Sequence, residues 1–121
     1  MDFSRKDLIF MYNKKKIMKF EDLKFIPRES GGIGCHTEIN GHILSVQASR
    51  MNYCSPRMDL DSESEYISFE IAIWDAEDPK GLWRTQDFIN VNDDVAGYMS
   101  RTEIEEVMTK LQAVKKEYSP N

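Results

Sequence analysis

The chain has 121 residues and a formal net charge of -5 at pH 7, a length at which one domain with a single modest core is expected. It has no apolar run of about 18 residues and no hydrophobic segment long enough for a signal peptide, which predicts a cytoplasmic protein without a membrane partner. Cys35 and Cys54 follow no pattern, and in that compartment two reduced thiols are expected.

Charge is unevenly distributed along the chain. Residues up to Arg28 contain more bases than acids, whereas from Glu29 onward acids outnumber bases about two to one. Binding to a phosphate backbone needs clustered Lys and Arg. The acidic body therefore argues against direct nucleic-acid binding and leaves only the amino-terminal arm as a candidate for it.

The amino-terminal residues carry no clear element. Lys14-Lys15-Lys16 interrupts any amphipathic face, so residues 1–17 are predicted to be a loosely attached basic extension of a single α+β domain at residues 18–121. Within that domain, Leu23 to Ile26 predicts a short strand. Pro27 ends this strand because proline has no N–H to donate to a sheet.

A β-hairpin follows, with Asn40-Gly41 as its turn, the commonest pair in two-residue type I′ loops. The turn makes Ile39 face His42, and the register then pairs Thr37 with Leu44, Cys35 with Val46 and Ile33 with Ala48. All the apolar residues except Ile43 fall on one side. The hydrophobic pattern thus agrees with the turn chemistry.

The strongest pattern of the chain is the alternation in residues 65–75. It predicts a strand with one buried face, formed by Ile67, Phe69, Ile71 and Ile73. Tyr66 and Trp74 are predicted on the opposite face. The preceding connection, residues 50–64, is long for so small a domain, which is typical of functional or mobile loops.

Two further elements complete the predicted fold. After a turn at residues 78–81, Leu82 to Ile89 is predicted to return as a strand. Ser100-Arg-Thr-Glu103 is a capping box that begins a helix. The helix has one apolar stripe: Ile104, Val107, Met108, Leu111, Val114 and Tyr118. The predicted class is α+β, an antiparallel β-meander of three to four strands with one carboxy-terminal amphipathic helix packed on one face.

Aromatic and arginine side chains form the candidate binding site, because Tyr, Trp and Arg anchor interfaces and stack on nucleotides. The candidates lie on the open sheet face, in the 50–64 connection and in the next predicted strand: Arg50, Tyr53, Arg57, Tyr66, Trp74, Trp83, Arg84 and His36. The acidic run of the connection is a second candidate surface: Asp59, Asp61, Glu63 and Glu65. The alternative for Trp74 is ordinary core, beneath a folded-over amino-terminal segment.

Metal and catalytic sites are disfavoured by residue spacing. Cys35, His36, His42 and Cys54 match no common zinc pattern, and the hairpin register puts the two histidines on opposite faces. The acidic run lacks the glycine and the flanking helices of a calcium loop. Residues 31–34 are glycine-rich but lead into a strand, not into the helix that phosphate loops use. The prediction is a non-enzymatic protein without cofactor or metal; the alternative is an enzyme using Cys54 or His36.

The layout of residues 33–111 resembles that of small phage-encoded accessory proteins. In these a short meander ends in a segment like Asp94-Val-Ala-Gly-Tyr98, followed by one capped helix. The resemblance implies a viral protein in the host cytoplasm that binds and blocks a host protein, such as a defence component. The alternative is a binder that sequesters a nucleotide signal through Arg50, Arg57, Tyr66 and Trp74. The sequence is also compatible with a homodimer, formed by strand-edge pairing or through Tyr66 and Trp74.

Overall fold

A computed structural model of the protein describes residues 17–78 and 80–114. Its strands are β1 (Ile26–Pro27), β2 (Ile33–Ile39), β3 (His42–Ala48), β4 (Phe69–Asp75) and β5 (Val95–Met99). Its helices are α1 (Thr85–Phe88) and α2 (Arg101–Gln112), and 3-10 turns cover Phe20–Asp22 and Glu63–Glu65. Each strand pairs antiparallel with the next in a 5-stranded sheet. The α+β class is confirmed, with five strands in place of three to four.

The central hairpin has the predicted register. Ile39 pairs with His42, Cys35 with Val46 and Ile33 with Ala48. Asn40 and Gly41 have φ values of 49° and 80°, the left-handed geometry that a type I′ turn requires. The side chain of Asn40 also reaches the end of α2, because its Nδ2 donates to the carbonyl oxygens of Leu111, Gln112 and Val114 at 2.9, 2.9 and 3.2 Å. The turn thus satisfies carbonyls that a helix end leaves unpaired.

Helix α2 covers one face of the sheet. It begins with the predicted capping box, in which Ser100 and Glu103 exchange hydrogen bonds. The buried part of its stripe packs with the inward-facing strand residues in one core: Ile104, Val107, Met108 and Leu111 from the helix, and Ile33, Leu44, Val46, Phe69, Ile71, Ile73 and Ala96 from the sheet. Tyr118, the last predicted member of the stripe, lies outside the described residues.

The amino-terminal part of the described chain lies beside α2, on the core side of the sheet. Met18 and the side chain of Gln112 exchange two hydrogen bonds of 2.9 Å, and Phe20 packs on Phe69 with ring centroids 5.4 Å apart. The predicted strand at Leu23 to Ile26 is wrong: a 3-10 turn precedes Leu23, and the strand is Ile26–Pro27. The predicted extension, apart from Ile17, lies outside the described residues.

Two predictions around β4 are wrong. Tyr66 is buried at 1% exposure and Ile67 is 73% exposed, because the strand begins only at Phe69, and Ile67 and Ser68 bond instead to Ser55. Leu82 to Ile89 is not a strand. Within this segment Trp83 forms a single β-bridge, with Trp74, and residues Thr85–Phe88 form the short helix α1.

Candidate binding groove on the open face of the sheet

The sheet face opposite α2 carries the side chains that alternate with the core positions. These are, from β2 to β5, Gly34, His36, Glu38, Ile43, Ser45, Gln47, Glu70, Ala72, Trp74, Val95 and Gly97. Among the described residues, the helical elements that contact the sheet, α1, α2 and the Phe20–Asp22 turn, contribute to the core on the other side. We refer to this face as the open face.

Three aromatic rings meet on the open face. Trp74 lies edge-on to His36, with ring centroids 5.2 Å apart and planes at 90°, and Trp83 packs against Trp74 at 5.5 Å and 77°. Trp83 is positioned by its backbone neighbours, because Asp75 N donates to Leu82 O at 2.8 Å and Arg84 N donates to Ile73 O at 2.7 Å. The sequence prediction that His36 and Trp74 share a sheet face is confirmed.

These rings form one wall of a shallow groove of about 270 Å³, which we call the aromatic groove. Its other lining residues are Ser45, Gln47, Glu70, Ile71, Ala72 and Val95. Trp83 is 47% exposed, whereas Trp74 is half-buried. The groove is therefore an open surface that presents aromatic area to solvent.

A second pocket of about 290 Å³ adjoins the groove and shares His36 and Gln47 with it. We call it the cationic pocket, because Lys24 and Arg28 line it. Arg28 lies across Gly34: a Cβ atom at Gly34 would stand 3.2 Å from Arg28 Cδ. A glycine at this point of the strand thus makes room for the arginine side chain.

The 50–64 connection borders one end of the open face. Asn52 links Arg28 to Glu70: its Oδ1 accepts from Arg28 Nη1 at 3.1 Å, and its Nδ2 donates to the carboxylate of Glu70. Tyr53 covers Gly97, where a Cβ atom would stand 2.6 Å from Tyr53 Cβ. The connection therefore helps to position residues that border the site.

The predicted arginines do not join the aromatic groove. Arg50 pairs with Asp59 and donates from Nη1 to Ser30 O at 3.2 Å. Arg57 lies 5.0 Å from the ring centroid of Tyr53, whose ring is 6.2 Å from that of Tyr98. Arg84 forms an ion pair with Asp87 at 3.3 Å. The structure thus brings together His36, Trp74 and Trp83, and separately Tyr53 and Arg57.

Tyr66 is a structural residue of the connection. Its hydroxyl donates to Met58 O at 2.6 Å and accepts from Leu60 N at 2.8 Å. Burial raises the pKa of Tyr66 above its ordinary value. The prediction that Tyr66 lies on the same open face as Trp74 is wrong, because Tyr66 is buried and its ring centroid lies 6.0 Å from that of Phe69.

Two of the four carboxylates of the acidic run, those of Asp59 and Glu65, are already hydrogen-bonded. Asp59 accepts from Arg50 N at 2.8 Å, and this backbone donor, together with the guanidinium of Arg50, holds the pKa of Asp59 below its ordinary value. Glu65 Oε2 accepts from the backbone N–H groups of Asp61 and Ser62 at 3.3 and 3.2 Å. Among the described residues, Asp61 and the Glu63 carboxylate are left for other contacts.

Both cysteines are buried, and the sulfur atom of each lies within hydrogen-bond distance of an oxygen. Cys54 is buried and its Sγ donates to Ser49 O at 3.2 Å; burial raises the pKa of this thiol. Cys35 is also buried, 3.2 Å from Thr37 Oγ1. In residues 17–78 and 80–114, no three His, Cys, Asp or Glu side chains are grouped to hold a metal ion.

Sequence reasoning missed Lys24, Arg28, Asn52 and Glu70 as members of the site. Their association with β2 and β3 depends on long-range contacts that no local pattern encodes. One signal was present: Gly34 occupies an open-face position within a strand, and such a glycine commonly marks a close approach by another group.

Within the described ranges, no helix is long and apolar enough to cross a membrane. Comparison of the chain with protein-family models, curated proteins and solved structures finds no match. The resemblance to phage accessory proteins therefore stays a prediction.

Proposed function

We propose that this protein is a non-enzymatic binding protein of the phage accessory type, which acts by occupying a host macromolecule such as a defence protein. The observation that carries the proposal is the aromatic groove, where Trp83, Trp74 and His36 lie edge to face on the side of the sheet away from α2.

Protein partners suit this groove because of its ring types and its depth. Trp is enriched among the residues that dominate binding energy at interfaces, and a ring held in place loses little conformational entropy on binding. The groove volume of about 270 Å³ is at or below the range of pockets that enclose small molecules. A projecting side chain of a protein surface fits such a groove better than a fully enclosed ligand.

A binding role is also supported by the chemistry of the groove. The hydroxyl of Ser45 accepts from Gln47 Nε2 at 3.0 Å, and His36 Nε2 lies 3.4 Å from the same nitrogen. Activation of a serine needs a base bonded to its hydroxyl, and here an amide occupies that place. The acidic run is the less suited surface, because Asp59 and Glu65 are already bonded.

Sequestration of a nucleotide signal is the second candidate function. The observation that favours it is the pair of cations next to the aromatic rings, Lys24 and Arg28. In this arrangement a base would stack on Trp74 or Trp83 and the phosphates would lie towards Arg28. It differs from the sequence-based site in using Arg28 in place of Arg50 and Arg57.

The experiment is recovery of the tagged full-length protein from its native cells, followed by native mass spectrometry. Wild-type protein is expected to carry a host protein at a fixed ratio. The Trp74→Ala/Trp83→Ala variant is expected to lose it, with affinity reduced about 30-fold or more for a pair of interface anchors.

Ile67→Ala is the matched control. Ile67 is an apolar side chain more exposed than Trp83, but it lies outside the groove, so this variant should keep the partner. Retention of the partner by the double tryptophan variant contradicts the proposal. An added mass of nucleotide size on the wild-type protein, without any host protein, favours the second candidate.

A further inference from the structure

The cationic pocket differs in charge from the rest of this acidic chain. Its polar lining consists of two cations, an imidazole and an amide, from Lys24, Arg28, His36 and Gln47. Ile26, Gly34 and Cys35 complete the lining, and no carboxylate is among these residues. Lys24 is exposed and has no hydrogen-bond partner among the described residues. The guanidinium of Arg28 has one partner among the described residues, Asn52, which leaves further N–H groups for an anion.

The pocket lies at a defined distance from the aromatic groove. Gly34 and Gln47, which line the pocket, are paired across β2 and β3, and so are His36 and Ser45, which line the groove. The two pairs are two residues apart along each strand, which places them about 7 Å from each other. An anion and an apolar group on one binding segment could therefore occupy both sites at once.

The anion best suited to this pocket carries a single charge. Glu70 lines the neighbouring groove, and the chain has a net charge of -5; both weaken the attraction for a doubly charged phosphate. One lysine and one arginine on an open surface match a carboxylate, which a guanidinium binds with charge-assisted hydrogen bonds.

We propose that the cationic pocket receives the carboxylate of an Asp or Glu side chain of the partner protein, while a nearby apolar side chain of the same segment fills the aromatic groove. This inference rests on the proposed function, since it states the chemistry of the partner at the same face.

The test uses small probes and the full-length protein labelled with nitrogen-15. 4-Phenylbutyrate carries a ring and a carboxylate at about the required separation, and 4-phenylbutanamide is its uncharged counterpart. Both are titrated while the indole N–H signals of Trp74 and Trp83 and the side-chain amide signal of Gln47 are followed. The acid is expected to bind about fivefold or more tightly than the amide, since a charged hydrogen bond is stronger than a neutral one.

Three variants test whether the tighter binding of the acid depends on the cationic pocket. Lys24→Gln is expected to reduce the preference for the acid without disturbing a bonded neighbour, and Arg28→Gln to reduce it further. Lys110→Gln makes the same change of charge on α2, where Lys110 Nζ donates to Phe88 O on the opposite side of the sheet; it should keep the full preference.

Equal binding of acid and amide, no response to either probe, or an unchanged preference in Lys24→Gln overturns the inference. Tighter binding of inorganic phosphate than of the acid overturns it as well and favours a nucleotide. If the tryptophan variant loses the host protein while Lys24→Gln retains wild-type affinity for it, this inference fails and the proposed function stands.

Discussion

Thr85 occupies the point where β4 runs past the end of its neighbour β5. It is 1% exposed, and its Oγ1 accepts from Ile73 N at 2.9 Å and donates to Asp94 O at 2.5 Å. One hydroxyl thus replaces the missing strand partner. It also fixes the segment that carries Trp83, because Arg84 N bonds to Ile73 O next to it.

Replacement of Thr85 by valine should lower the free energy of unfolding by about 1–3 kcal/mol, because the N–H of buried Ile73 and the carbonyl of exposed Asp94 lose their partner. Thr85→Ser keeps the hydroxyl and should lose only about 1 kcal/mol for the missing methyl group. Urea unfolding measures both. A valine variant more stable than the serine variant would contradict this role.

At the scale of elements, the turn between β2 and β3 acts as a cap for α2. The Nδ2 of Asn40 donates to three carbonyl oxygens at the end of the helix. An amide donor suits this position because the carboxy-terminal end of a helix carries partial negative charge. The hairpin and the helix therefore stabilise each other through a single side chain.

Asn40→Gly should keep the turn, since glycine adopts positive φ freely, but lose the cap, which lowers the free energy of unfolding by about 1–2 kcal/mol. Asn40→Asp should be less stable than Asn40→Gly at neutral pH, because a carboxylate would face three carbonyl oxygens. Thermal unfolding followed by circular dichroism ranks the variants. Equal stability of Asn40→Asp and wild type would refute the capping role.

The individual elements also differ in how far the sequence could predict them. The hairpin register and the capping box were predicted because each depends on residues within a few positions of one another. The strand at residues 82–89 was wrong because its pattern cannot show that β4 offers one bridge there, at Trp74. Tyr66 was misplaced because the alternation of β4 does not reveal where pairing with β5 begins. The cationic pocket was missed because Arg28 reaches Gly34 only in the folded chain.

At the scale of the whole molecule, the two faces of the sheet differ in what they carry. The side covered by α2 holds the core, whereas the open face bears the aromatic groove and the cationic pocket. Exposed side chains of the open face, such as Trp83, can therefore change without loss of the fold, which is the arrangement expected if binding is their role.

This separation predicts opposite outcomes for two alanine variants. Ile104→Ala should lower the free energy of unfolding by about 2–5 kcal/mol, since Ile104 is fully buried beneath the sheet. Trp83→Ala should lower it by about 1 kcal/mol or less, because the ring is half exposed. Urea unfolding of both variants is the measurement. A large loss in Trp83→Ala would make the ring a structural residue instead.

The two hydrogen bonds between Met18 and Gln112 have a practical consequence for handling the molecule. They hold the start and the end of the described fold side by side, next to α2 and behind the sheet. An immobilisation tag or a fluorescent reporter joined directly to Ile17 or Val114 would leave from the rear of the molecule. On a biosensor chip the groove would then face the flowing solution.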